Sequence, residues 1–164
     1  MRILGIDPGY AIIGFGIVDK DERGGFTHIH SGAINTPKEE SVPVRLAMLD
    51  EALVKLIKEY KPNCIAVEEL FFNTNITTGI KVAQARGVIL LAAIKHCGLL
   101  YEYTPLQVKM ALTGTGTAEK KQVQYMVKAI LGLKTEPKPD DAADALAVAI
   151  CHGNTAEYKQ RVLN

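Results

Sequence analysis

Three stretches of the chain place acidic residues where an ordinary solvated surface does not account for them. Asp7 ends the apolar run Arg2-Ile3-Leu4-Gly5-Ile6 and precedes the turn pair Pro8-Gly9. Glu68 and Glu69 end a second run, Cys64-Ile65-Ala66-Val67. Asp140, Asp141 and Asp144 open a third, in which nearly every position from Ala142 to Ile150 is apolar. An ionised carboxylate buried without a cation, a donor or water is costly, and Asp144 lies deepest in such a run. Asp141 and Asp144 share a helix face at i, i+3. Asp140 stands at i, i+4 from Asp144 but roughly 100 degrees from Asp141, so helical phase admits either as the companion of Asp144 and hardly both. The plainer readings are a turn-forming role for Asp7 before Pro-Gly and complementarity with a helix N-terminus for Asp140 and Asp141. Carboxylates from distant parts of one chain, without His or Cys at ligand spacing, suit a hard, oxygen-preferring cation such as Mg2+ or Mn2+. A pair of such ions serves in-line hydrolysis of phosphate esters. The residues alone therefore point to metal-assisted phosphate chemistry.

The elements that must position these acids follow from periodicity and punctuation. Residues 2–7 read as a buried strand, with further strands near 12–18 and 26–34 forming an antiparallel meander. Gly14 and Gly16 imply close backbone approach on one side of the second. Leu46, Leu49, Leu53, Leu56, Ile57 and Tyr60 repeat at helical spacing between Pro43 and Pro62, predicting an amphipathic helix over 43–60. The continuous apolar run 64–67 suits a central strand covered on both faces. A helix over 76–96, a strand near 100–103 and a helical turn after Pro105 follow. Val123, Met126, Val127, Ile130 and Leu131 then mark a helix with Thr117 as its N-cap and Gly132 as its stop. A last helix starts near Pro139 and runs to about His152. The order predicts an α/β fold, a mixed sheet with helices on both faces, and ligands in such sheets gather at strand carboxyl ends. Asp7 and Glu68 end two strands that, as neighbours, would face one crevice.

A length of 164 residues suits one domain, taken as 1–164, and 48% hydrophobic with 23% charged residues is the composition of a soluble globular chain. No signal region opens the sequence and no run approaches the ~20 apolar residues of a membrane span, so a cytoplasmic protein is expected. Cys64, Cys97 and Cys151 sit in apolar stretches and read as small buried hydrophobes. The net charge of +1 argues against a broad basic surface, and any nucleic-acid contact must be local.

Beyond these readings the chain resembles the RuvC family of the ribonuclease-H-like superfamily over about residues 3–152. The segments that carry the likeness are Ile6-Asp7-Pro8-Gly9, Gly14-Phe15-Gly16, Val67-Glu68 followed by Phe71, Gln84-Ala85-Arg86-Gly87, Gln107-Val108-Lys109, Ala118-Glu119-Lys120 and Asp141-Ala142-Ala143-Asp144-Ala145-Leu146-Ala147. The resemblance implies a ribonuclease-H-like sheet and a homodimeric endonuclease that resolves four-way (Holliday) junction DNA by paired symmetric nicks. It implies Mg2+, with Mn2+ substituting and two ions per site, and cooperation with RuvA and RuvB branch-migration proteins in recombination and repair. It makes Asp7, Glu68, Asp141 and Asp144 the metal-binding acids, Phe71 a base-stacking aromatic, and Lys109 and Lys120 contacts near the scissile phosphate. The family more often has Gln where this chain has Glu69.

Lys120 is also unusual on its own terms, a cation at the edge of the apolar stripe in a first helical turn, where the helix dipole disfavours it. A phosphate partner explains that placement. Lys121 and Lys128 lie on the opposite, solvated face; Lys81, Arg86 and Lys121 complete the expected DNA footprint, although exposed helical cations commonly only solubilise. Two other functions share these features: a related nuclease acting on RNA or hybrids, and a junction-binding protein without catalysis. An ATPase of the sugar-kinase type shares the opening strand motif, but its two-domain cleft needs a longer chain.

Overall fold

The computed structural model describes residues 1–70 and 76–163, with side chains described as far as residue 156. Its elements in chain order are β1 (Arg2–Asp7), β2 (Ile12–Lys20), β3 (Phe26–Asn35), α1 (Val42–Tyr60), β4 (Cys64–Glu68), α2 (Ile76–His96), β5 (Leu100–Tyr103), α3 (Pro105–Thr113), α4 (Lys120–Ile130) and α5 (Asp140–Leu163). The strands form one five-stranded sheet in the order β3-β2-β1-β4-β5. β1, β2 and β3 are the expected antiparallel meander, while β4 runs parallel to β1 and β5 parallel to β4. Ile6 pairs with Val67, so Asp7 and Glu68 leave the sheet side by side at strand carboxyl ends.

Two-residue alternation divides the core. Leu4, Ile6, Ile65 and Val67 face α1 and α2, meeting Leu49, Leu53, Ile57, Ala85 and Ile89. Ile3, Val18, Cys64 and Ala66 face α3, α4 and α5, meeting Val108, Val127, Leu146 and Ile150. The helices thus cover both faces, as the sequence predicts. α2 is long and apolar enough, by length and composition alone, to cross a membrane. That exceeds the sequence expectation, yet Ala85, Ile89, Ala92 and Ala93 commit one side of it to the core.

α5 lies across the middle of the sheet, buried from Ala142 to Gly153 except at Asp144. It approaches so closely because the sheet lacks side chains beneath it. A Cβ on Gly5 would stand 2.1 Å from the Ala145 carbonyl oxygen, and one on Gly14 only 2.0 Å from that of Asp141. Helix and strand meet backbone to backbone there, which places the first turn of α5 beside the end of β1.

Two expectations need correction. The N-cap of α4 is Glu119 rather than Thr117: the Glu119 N–H donates to the Gln122 side chain at 2.8 Å, while the Thr117 hydroxyl is taken up with that of Thr115 at 2.9 Å. α5 continues past His152 to Leu163. Gly153 lies within it, its carbonyl accepting from the buried Lys20 Nζ at 2.7 Å and the Phe26 ring packed against it.

Candidate active site

The site is assembled from the ends of three of the most buried elements, β1, β4 and α5. Asp7, Glu68, Asp141 and Asp144 are each partly buried where those elements meet. Their proximity is recorded in their ionisation. Burial pushes the Asp7 carboxyl up to about 8, helped by the negative charges of Glu68, Asp144 and Asp141 and opposed by Lys120. Glu68 is also raised, first by burial and then by Asp144, against a hydrogen bond with Asp7 and the charges of Lys120 and Lys109. Asp144 is raised by burial and held down by Lys120. Lys120 Nζ donates to Asp144 Oδ2 at 2.8 Å. That bond lifts the Lys120 ammonium above its ordinary range, so the cation stays charged.

Glu68 and Asp144 line a cleft of about 200 Å3 together with Lys109, Lys120, Pro105, Val108, Val123 and Ala147. Its apolar wall is the packing of α3 and α4 against α5, which brings both lysines to the acids. Asp140 turns elsewhere: it is exposed and bonded to Lys138 Nζ at 2.9 Å, which holds its carboxyl below the usual range.

The remaining candidates stand outside this cluster. Arg86 is ion-paired with Glu102 of β5, and beside it Glu69 and Leu70 line a second small cavity. Lys121 is exposed beside a surface recess with Thr115 and Tyr125. Lys81 lies over the Tyr10 ring, 5.5 Å from its centroid. Phe71 lies outside the described residues.

Sequence reasoning missed Tyr10 and Arg45. Arg45 is buried, with its guanidinium 3.7 Å from the Tyr10 ring centroid. The available signal was positional: Arg45 begins the i, i+4 series Arg45, Leu49, Leu53, Ile57 that forms the buried stripe of α1.

The donor set fits a hard divalent cation by type, with carboxylate oxygens only and one paired lysine as the nearby counter-charge. Among the described residues no three acidic, His or Cys side chains are drawn into a closed metal cage.

Comparison with known proteins shows the family and the fold. The family model described as crossover junction endodeoxyribonuclease RuvC matches residues 3–152. A crossover junction endodeoxyribonuclease RuvC of Alkaliphilus metalliredigens is 55% identical over 97% of this chain and 96% of its own length. The solved RuvC structure of Thermus thermophilus superposes with a TM-score of 0.90 at 36% identity, over 97% of each chain. The T. thermophilus RuvC in complex with a Holliday junction substrate gives 0.87 at 34% identity, over 96% of each chain. A yeast mitochondrial Holliday junction resolvase, 16% identical over 96% of this chain and 80% of its own, shares the fold with a TM-score of 0.70.

Proposed function

Because the chain belongs to the RuvC family of crossover junction endodeoxyribonucleases, we propose that it resolves four-way DNA junctions by paired symmetric nicks, in recombination and repair. The observation that carries the reading is the proximity of Asp7, Glu68 and Asp144, recorded in the ionisation of Asp7 and Glu68, with Lys120 bonded to Asp144 at the cleft.

Asp7, Glu68, Asp141 and Asp144 are the proposed holders of Mg2+, two ions per site with Mn2+ substituting. Such ions, when bound, supply an activated water and charge stabilisation for the leaving oxygen. The chain's own contribution is positioning and charge. The acids are fixed on β1, β4 and α5, so their spacing is set by the core rather than by loops. Lys120 brings a cation to the cleft edge, where it would stabilise charge developing on the scissile phosphate. Lys109 adds a second cation to the same wall. Lys81, Lys121 and Arg86 are proposed to contact DNA farther out, Arg86 with part of its charge already taken by Glu102. Phe71 is proposed to stack on an unpaired base, an interaction worth ~1–3 kcal/mol and tolerant of sequence.

The working form is proposed to be a homodimer matching the near two-fold symmetry of the junction. Ile80, Leu91 and Ile94 are 56, 57 and 54% exposed along α2, with open space above Gly87 between them. That stripe is the surface we assign to the second copy. RuvA and RuvB are the proposed partners in branch migration, and the cytoplasm the proposed compartment.

The test is cleavage of a synthetic four-way junction, with linear duplex and an RNA–DNA hybrid as controls and Mg2+ or Mn2+ varied. Symmetric nicking of the junction alone is expected. Preferential cutting of the hybrid would overturn the substrate assignment, and junction binding without cutting in either metal would overturn the catalytic one.

A further inference from the structure

Three elements meet on the far flank of the Asp7 loop in a group that the proposed hydrolysis leaves unused. Tyr10 follows Asp7-Pro8-Gly9. The Arg45 guanidinium of α1 and Lys81 Nζ of α2 both lie over its ring, at 3.7 and 5.5 Å from the centroid. The loop is fastened beneath the ring. The Tyr10 carbonyl accepts from Thr36 Oγ1 at 2.8 Å and from Arg45 Nη2 at 3.4 Å, and Arg45 Nε donates to Thr36 Oγ1 at 3.0 Å. The Thr36 N–H in turn donates to the Ala11 carbonyl at 3.0 Å. Arg45 is only 6% exposed.

The charge arrangement is one-sided. Among the described residues no carboxylate lies within salt-bridge distance of Arg45 or Lys81. Each cation is attracted by the face of the ring, yet the two repel one another, and one of them is buried. An anion would relieve that repulsion. With no carboxylate paired to either cation among the described residues, a phosphate carried by the substrate is an anion that fits the place.

We propose that Arg45, Tyr10 and Lys81 form a seat for a backbone phosphate of the substrate strand, away from the scissile phosphate. Lys81 makes the contact, Tyr10 positions the Lys81 ammonium, and Arg45 is a fixed charge that pins the ring. The inference rests on the DNA-binding reading above and deepens it. It also ties substrate grip to the catalytic loop, since Arg45, which pins the ring, also donates to the Tyr10 carbonyl in the segment next to Asp7.

The experiment is a gel-shift titration of a synthetic four-way junction without divalent metal, at several monovalent salt concentrations. It compares wild type with Tyr10→Leu, Tyr10→Phe, Lys81→Met and Tyr10→Leu/Lys81→Met; Lys58→Met, an exposed residue near the far end of α1, controls for charge. Lys81→Met is expected to weaken binding about fivefold at low salt and to lower the slope of log K against log salt by about 0.9, one phosphate's share. Tyr10→Leu should weaken binding to a similar extent. Tyr10→Phe, which keeps the ring face, should stay within about twofold of wild type. The double variant should be no weaker than Lys81→Met alone, the signature of one coupled unit. Additive losses, or equal losses in Tyr10→Phe and Tyr10→Leu, would overturn the role of Tyr10. Wild-type affinity and slope in Lys81→Met would overturn the seat, and that variant decides even if Tyr10→Leu does not fold. Wild-type protein that bound junctions no better than linear duplex would overturn the function and this inference together.

Discussion

Replacing Asp7 by Asn should stabilise the metal-free protein while abolishing its nuclease activity. The reasoning starts from a carboxyl raised from 3.8 to about 8 in the folded chain, chiefly by burial and then by its acidic neighbours. A group with its folded pKa above its unfolded value holds its proton more tightly when folded. Between those two values the folded state binds more protons than the unfolded one, so stability falls as pH rises. The slope has a ceiling of about 1.4 kcal/mol per pH unit. From about pH 6 to 7.5 that is ~2 kcal/mol, and solvent access with the Lys120 charge reduces the expected loss to ~1–2 kcal/mol. Asn cannot ionise and escapes the loss. For a chain of this size 1 kcal/mol moves the melting temperature by roughly 2–4 °C, so without metal Asp7→Asn should melt above wild type at pH 7.5, by a gap that exceeds the one at pH 6 by about 2–8 °C. Millimolar Mg2+ should then raise the wild-type melting temperature more than that of the variant, because a ligand of the native state stabilises it by mass action. Differential scanning fluorimetry in chelator-treated buffer, with and without Mg2+, measures all of this. Equal or lower melting of Asp7→Asn in the metal-free buffer at pH 7.5 would refute the reasoning.

Three further outcomes are expected. Asp141→Asn should abolish junction cutting whereas Asp140→Asn, which loses only an exposed pair with Lys138, should leave most of it; equal losses in a cleavage time course would remove Asp141 from the proposed ligand set. Lys120→Ala should lower the single-turnover cleavage rate by at least about tenfold, a loss of ~1.4 kcal/mol of transition-state stabilisation, with a smaller change in gel-shift affinity; the reverse ratio would make Lys120 a ground-state contact. Leu91→Glu should convert a dimer to a monomer in analytical ultracentrifugation without lowering the melting temperature of the subunit by more than about 1 kcal/mol equivalent, and an unchanged sedimentation coefficient would exclude the α2 stripe as the dimer surface.

The sequence made the scaffold of the site readable because strand ends and helix starts carry strong local marks. Asp7 before Pro8-Gly9 and Glu68 after a continuous apolar run locate two strand ends, and their adjacency follows from the parallel pairing of β1 with β4. Gly14 signalled close approach, and it is the Asp141 carbonyl that comes close. Helical phase, by contrast, could not choose between Asp140 and Asp141, since both stand within one turn of Asp144. What separates their surroundings is seen only in the folded chain: Asp140 is exposed and paired with Lys138 two residues before it, while the charge of Asp141 acts on Asp7. The α4 cap was misplaced because Thr is the stronger capping type, whereas the reciprocal bond from Glu119 to Gln122 is visible only once the turn is built. Tyr10 and Arg45 were unreadable for a related reason. Their meaning lies in a contact between residues 35 positions apart, and each taken singly has an ordinary role, a loop aromatic and a helix cation.

The same arrangement explains how a destabilising acid cluster is kept ready for a cation. Like-charged carboxylates would ordinarily swing apart into solvent, but here they project from backbones that cannot move independently. β1 and β4 are neighbours in the sheet, and α5 lies on β1 and β2 with no side chain at Gly5 or Gly14 to separate them. Any displacement of Asp141 or Asp144 would open the buried face of Leu146 and Ile150, both 0% exposed. The core therefore holds the repulsion in place instead of letting the site relax. Lys120 is the adjustable part. Its side chain is 56% exposed and its pair with Asp144 is of the kind that contributes little net stability. Exchanging that carboxylate for a substrate phosphate thus costs little, and under the proposed mechanism it frees an Asp144 oxygen for metal at the same moment. Rigid acids and one loosely held lysine make a site whose excess negative charge, under the proposed mechanism, a bound cation would offset.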